Sequence, residues 1–214
     1  MYARFKVLGA AMIVAGFVFV GVAGYTYVKT EEGAQSLQAF STAQDVELSY
    51  NDQGQLTDRG DPAEAEKILS LLTDDWGYTL VGADLDPGDP LVDTATEYMY
   101  QMAAIAFHTL NSTQKVAVAD HTDYNDEHFM PGEYEFAVDG RYWSQFDRGD
   151  PIEGKAREPA WTGTAHALSA ERGVGSVTAS ALQIGFGIAA LAAALGATLA
   201  LLGAGLIWAG RRTS

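Results

Sequence analysis

The chain has 214 residues, no cysteine and a formal net charge of −15. That length allows one modest domain plus membrane segments, and the missing cysteines exclude disulfides, thiolate metal ligands and thiol nucleophiles. All 28 acidic but only nine of the 13 basic residues lie within 29–172, a formal charge of −19, which excludes nucleic acid as a partner because a phosphate backbone is bound by cations that displace its counterions.

Val7 to Val28 is free of charged residues, follows Arg4 and Lys6, and precedes Lys29, Glu31 and Glu32. About 20 apolar residues suffice for a helix to cross the hydrocarbon core, and Tyr25 and Tyr27 fall where aromatic rings favour the interface. A cleaved leader ending near Gly21-Val22-Ala23 is the competing reading; a retained anchor over 7–28 is expected.

Thr30 to Ala43 reads as a helical extension or a linker. Val46 to Tyr50 alternates weakly, Asn51 to Gly54 is a turn, and Leu56 starts a returning edge. Asp61-Pro62-Ala63-Glu64 is a helix start, with Asp61 as cap and Pro62 where its missing N–H costs nothing. Ile68, Leu69, Leu71, Leu72 and Trp76 supply the apolar face of that helix, which is expected to end near Asp74 or Asp75. Asp84, Asp86 and Asp89 make an oxygen-rich loop without the full calcium-binding pattern. A second helix is expected from an Asp89 cap and Pro90 through Leu110, and Asn111-Ser112-Thr113, also a glycosylation sequon, stops it.

Lys115 to Ala119 and Glu133 to Val138 read as strands, with Asp139-Gly140 as a hairpin turn and Arg141 to Phe146 as the return strand. Between them, His121 to His128 places two imidazoles and three carboxylates in eight residues. His121, Asp123, Asp126 and His128 are candidate ligands for a metal ion of the zinc, copper or iron kind, although the spacing matches no specific metal motif and an ordinary solvated loop explains it as well. Tyr134, Phe136, Tyr142, Trp143 and Phe146 crowd one short region and are candidate partner-binding anchors, since buried aromatics carry much of the energy at interfaces; packing into the core is the competing use. Asp150 to Ala160 is a loop, and the pattern over Trp161 to Glu171 does not decide between strand and helix.

Gly173 to Gly210 again lacks charge, with Leu182 to Trp208 as the apolar span proper and Arg211 and Arg212 closing it. Ala192, Gly196, Ala200 and Ala204 recur every fourth residue, a shallow helical stripe suited to close helix packing. Neither span has an ionisable group at its centre, which argues against an ion pathway through this chain alone. Positive flanks remain cytoplasmic, so residues 1–6 and 211–214 are expected inside, 7–28 and 179–210 across the membrane, and 29–178 outside.

The layout resembles a loosely defined group of small actinobacterial two-span membrane proteins, on the strength of Gly9 to Tyr27, the Asp89-Pro90 to Ala106 segment and Val177 to Gly205. Some members carry the label of aromatic ring-opening dioxygenase, a reaction that requires a defined iron site. The resemblance implies architecture and transfers no catalytic residue.

Two transmembrane helices flanking a small acidic α+β extracytoplasmic domain is therefore the expected fold, with an all-helical outside domain as the alternative. The expected function is a non-catalytic accessory or scaffolding subunit in contact with membrane lipid and with other membrane subunits or itself, without a cofactor. A metal-binding or redox-support protein and a membrane-anchored hydrolase are the alternatives; no serine has the Gly-x-Ser-x-Gly setting of a hydrolase nucleophile.

Overall fold

The computed structural model describes residues 2–212; Met1, Thr213 and Ser214, parts of the expected cytoplasmic ends, lie outside the described residues. The chain divides into two compact units, one made of 1–44 with 178–214 and the other of 45–177.

The first unit is built on two long helices. α1 covers Tyr2–Gln44 and α5 covers Gly163–Arg212, of which the part from Thr178 belongs here. Both are long and apolar enough to cross a membrane, and only 17% of the most apolar window of each is buried. Val7, Phe17, Val18, Leu191 and Leu201 are exposed, whereas the core helix of a water-soluble fold would bury such residues. At about 1.5 Å per residue α1 is roughly 64 Å long, so helix continues past the apolar stretch through Glu31 and Glu32.

The two helices run antiparallel, and the contact follows a seven-residue spacing of small residues. Gly9, Gly16, Ala23 and Thr30 are buried on α1, as are Ala189, Gly196, Gly203 and Gly210 on α5. A seven-residue repeat keeps one seam facing its partner as the helices wind about each other. A Cβ built on Gly9 would lie 2.5 Å from the Gly203 carbonyl oxygen, and one on Gly203 2.5 Å from that of Gly9.

The second unit is mixed. In chain order, six short strands, three shorter α-helices and two single helical turns lie between the two long helices, which rules out the all-helical alternative. β1 (Ser49–Tyr50) and β2 (Leu56–Thr57) form a small hairpin around the Asn51–Gly54 turn. α2 (Pro62–Ser70) is capped by Asp61, whose side chain accepts from the Ala63 N–H at 2.8 Å. It runs into a π-helical turn over Leu71–Asp75 that presents Trp76.

α3 covers Ala95–Leu110 and differs from expectation at its start. Thr94 and Glu97 form a reciprocal capping box, with Thr94 Oγ1 accepting from the Glu97 N–H and Glu97 Oε2 accepting from the Thr94 N–H. Pro90 cannot serve as the first helical residue because its segment is held extended: the Leu48 N–H donates to the Pro90 carbonyl and the Val92 N–H to that of Val46.

β3 (Thr113–Val118) pairs antiparallel with β6 (Gly132–Ala137), in register from Thr113 opposite Ala137 to Val118 opposite Gly132. β4 (Thr122–Tyr124) and β5 (Glu127–Phe129) form a separate hairpin projecting from that ribbon, turning on Asn125 and Asp126 at φ 49° and 65°. The expected return strand over Arg141 to Phe146 is absent. Asp139 and Gly140 do turn at positive φ, but the Gly140 N–H donates to the Leu110 carbonyl, so the chain folds back on α3 instead of pairing with β6. α4 covers Glu153–Ala160, and the first residues of α5 resolve the undecided 161–171 stretch as helix from Gly163.

The core of this unit gathers Leu110, Val116, Val138, Phe146, Ala156 and Trp161, with Leu71, Trp76, Phe136 and Trp143 packed around it.

Candidate functional site

An open apolar cleft of about 440 Å³ lies beside this core. Its walls come from four separate segments: Trp76 after the π-helical turn, Met102 and Ala106 on α3, Tyr142 to Ser144 in the turn after β6, and Trp161, His166 and Ser169 around the start of α5. Three of the four tryptophans of the chain meet here.

Hydrogen bonds at the polar edges of the rings fix this arrangement. Trp76 Nε1 donates to the Tyr142 hydroxyl at 2.8 Å, and Trp161 Nε1 donates to the Arg141 carbonyl at 3.0 Å. The turn carrying Tyr142 is locked by Gln145, whose Oε1 accepts from the Tyr142 N–H at 2.6 Å and whose own N–H donates to the Tyr142 carbonyl. Tyr142, Trp161 and His166 stack in series, with centroids 5.7 and 5.8 Å apart, and Trp143 meets His166 edge-on at 5.1 Å. The Arg157 guanidinium lies over Trp143, 3.5 Å from its centroid, and engages the cation-binding capacity of that ring. Met102 and Ala106 add to the apolar lining and Ser144 and Ser169 add hydroxyls, so the cleft, mostly apolar, suits an apolar or aromatic group over a strongly hydrated one.

The aromatic residues singled out in sequence divide between core and cleft. Phe146 is 4% exposed and packs on Phe136 at 6.0 Å, so both serve the interior. The Tyr134 hydroxyl donates to the Met130 carbonyl. Only Tyr142 and Trp143 line the cleft. Trp76, Met102, Trp161 and His166 were not singled out as partner-binding residues; they come from three separate segments of the chain, and no local pattern links those segments.

The histidine cluster is the tip of a β-hairpin rather than an irregular loop. Asp123 stands directly opposite His128, and His121, two residues before Asp123, shares its face of the ribbon. His128 Nδ1 donates to Asp123 Oδ1 at 2.5 Å, and His121 Nδ1 lies 3.1 Å from His128 Nε2. Asp126 occupies the turn at positive φ. Among the described residues, no three His, Asp or Glu side chains converge as a metal-ion cage.

A third group lies where α3 faces the first hairpin. His108 Nε2 and Asp58 Oδ2 are 2.8 Å apart, near enough to attract but not aligned as donor and acceptor. The buried hydroxyls of Tyr50 and Tyr100 lack a hydrogen-bond partner among the described residues. Burial, then the charges of Glu97 and Asp86, pushes the Tyr50 hydroxyl up to about 12. Burial and the Asp58 charge push Tyr100 up as well. Glu97 is 1% exposed, and burial raises its carboxyl above the usual range against the lowering effect of the Thr94 and Asp93 N–H groups.

In the helical unit, Ala192 and Gly196 of the small-residue stripe are buried, Ala200 is half-buried and Ala204 is exposed. The seam thus leaves the four-residue row and passes through Gly203 instead, because wound helices keep contact every seven residues.

No known protein family, curated protein or solved structure matches the chain.

Proposed function

We propose that this chain is a non-catalytic accessory subunit of a membrane assembly, anchored by two spans, with the Trp76–Tyr142–Trp143 cleft as its docking site. The cleft is the observation that carries the reading. Arg4 and Lys6 before the first span, and Arg211 and Arg212 after the second, favour the cytoplasmic side for both ends. Residues 29–178 then lie outside.

The occupant is a basic segment of a partner protein that inserts one apolar side chain. The apolar lining with Arg157 behind Trp143 favours an apolar group in the cleft over a cation. The formal charge of −19 over 29–172 selects basic surroundings for that group and speeds the encounter.

Extraction in mild detergent followed by native mass measurement tests the reading. The expected result is a heteromeric complex that falls apart at raised salt and is lost in Ser144→Trp, which fills the open cleft without removing any core side chain. A wild-type chain recovered only as a monomer, or a complex indifferent to Ser144→Trp, would overturn it.

A further inference from the structure

We propose that the β4–β5 hairpin binds one late first-row divalent cation, of the copper(II) or zinc(II) kind, through His121 Nδ1 and His128 Nε2, with Asp123 as a positioning residue. This site is separate from the aromatic cleft and does not depend on its role.

The argument rests first on separation. Two nitrogens each about 2.0–2.1 Å from one ion lie roughly 2.9 Å apart at a right angle and roughly 3.3 Å apart at the tetrahedral angle. The two ring nitrogens here are 3.1 Å apart, between those limits. Their rings are nearly parallel, 23° between planes with centroids 5.3 Å apart. The two nitrogens point at each other along the line of the ring centroids, so each ring turns by roughly 40° about its soft outer torsions to bring both lone pairs onto one ion at about 2.05 Å.

The second element is the tautomer. Asp123 Oδ1 accepts from His128 Nδ1, so the proton of a neutral ring sits on Nδ1 and Nε2 presents a bare lone pair. A carboxylate behind a ligating imidazole is the usual way a metal site fixes ring orientation and raises ligand basicity. The direct cross-strand pairing of Asp123 with His128 builds that support into the hairpin, and the two-residue turn at Asn125 and Asp126 holds the register.

The third element is choice of ion. Two imidazoles favour zinc, copper or nickel over the hard cations that prefer oxygen, and copper(II) binds most tightly in that series. Both side chains of the supporting pair are well exposed, 51% for His128 and 83% for Asp123, so water completes the coordination and the ion exchanges freely. Without metal, one hydrogen bond joins the same nitrogens; the ion takes its place, and the proton of the neutral His121 ring moves from Nδ1 to Nε2.

The test uses the full chain in detergent or lipid nanodiscs, titrated with copper(II) and followed by calorimetry and electron paramagnetic resonance. One equivalent is expected to bind with the hyperfine pattern of two imidazole nitrogens. His121→Gln and His128→Gln should each weaken binding by at least about tenfold and reduce the pattern to one nitrogen. Asp123→Asn should weaken it by roughly 10–100-fold while keeping two nitrogens. His108→Gln and His166→Gln should leave both readouts unchanged. The hairpin face is exposed, so the substitutions at His121, Asp123 and His128 spare the core. Copper binding that is absent, or unaltered in both His121→Gln and His128→Gln, would overturn the site; unaltered affinity in Asp123→Asn would overturn the positioning role.

Discussion

Gly16 and Gly196 face each other across the antiparallel helix pair at a separation that admits no side chain on either. A Cβ on Gly16 would lie 2.6 Å from the Gly196 carbonyl oxygen, and one on Gly196 2.7 Å from that of Gly16. The obstacle is backbone, which cannot swing aside as a side chain can. In lipid, where the hydrophobic effect does not draw helices together, such close backbone approach supplies the dispersion contacts that do.

Gly196→Val should therefore force the helices apart and weaken their pairing by about 1–3 kcal/mol. Gly24→Ala, where nothing lies within 4 Å, should be close to neutral. Reversible unfolding in bilayers or a disulfide-trapping assay between introduced cysteines would read the difference, against a background without native cysteine. Equal effects of the two substitutions would contradict the seam.

The cleft makes a different prediction. Trp76→Phe keeps most of the apolar surface but removes the hydrogen bond to the Tyr142 hydroxyl, and should cost about 1 kcal/mol of stability. Trp143→Ala removes a wall and the seat of Arg157, and should cost partner affinity of at least about 2 kcal/mol. Chemical denaturation followed by tryptophan emission checks the first, and titration with the purified partner checks the second.

Glu97 links the start of α3 to pH. Its folded carboxyl is raised by burial, so the folded state retains a proton over a range where the unfolded chain has released it. The penalty is absent below the unfolded value and grows as pH rises through the raised folded one. Glu97→Gln keeps an oxygen to accept from Asp93 and Thr94 without a buried charge. It should match or exceed wild-type stability near neutral pH and fall behind toward about pH 4. Glu97→Ala, which leaves those N–H groups unpaired, should lose about 1–3 kcal/mol. Parallel denaturation curves for wild type and Glu97→Gln across that range would contradict the assignment.

Tyr100→Phe tests the orphaned hydroxyl beside Asp58. Tyr100 is 3% exposed and its oxygen has no partner among the described residues. Removing it deletes an uncompensated polar group, so stability should hold or rise by up to about 1–3 kcal/mol. A clear loss of stability would mean that the hydroxyl has a bridging partner.

What the sequence disclosed, and what it did not, follows the range of the interactions. The apolar stretches at 7–28 and 182–208 are continuous and uncharged, and the Asp61-Pro62 cap is local, so both were legible. The start of α3 was not, because Leu48 and Val46, more than forty residues earlier, hold Pro90 and Val92 extended, and Thr94 with Glu97 makes the stronger cap. Asp139-Gly140 has good turn chemistry, yet a turn does not choose its partner, and the α3 end took it. The cleft joins Trp76 to Tyr142 and Trp161 across packing that no periodicity encodes. The four-residue spacing of small residues on the second span was visible, but which of its rows meets the other helix is set by winding.

The anchored reading is tested most directly by single-cysteine labelling of intact cells. Asp52 lies exposed in the first turn of the middle unit, and Asp52→Cys would be the chain's only thiol. A membrane-impermeant maleimide should modify it fully before lysis, and should reach a cysteine placed at Arg4 only after lysis. Labelling of the residue 52 thiol only in broken cells would contradict the account.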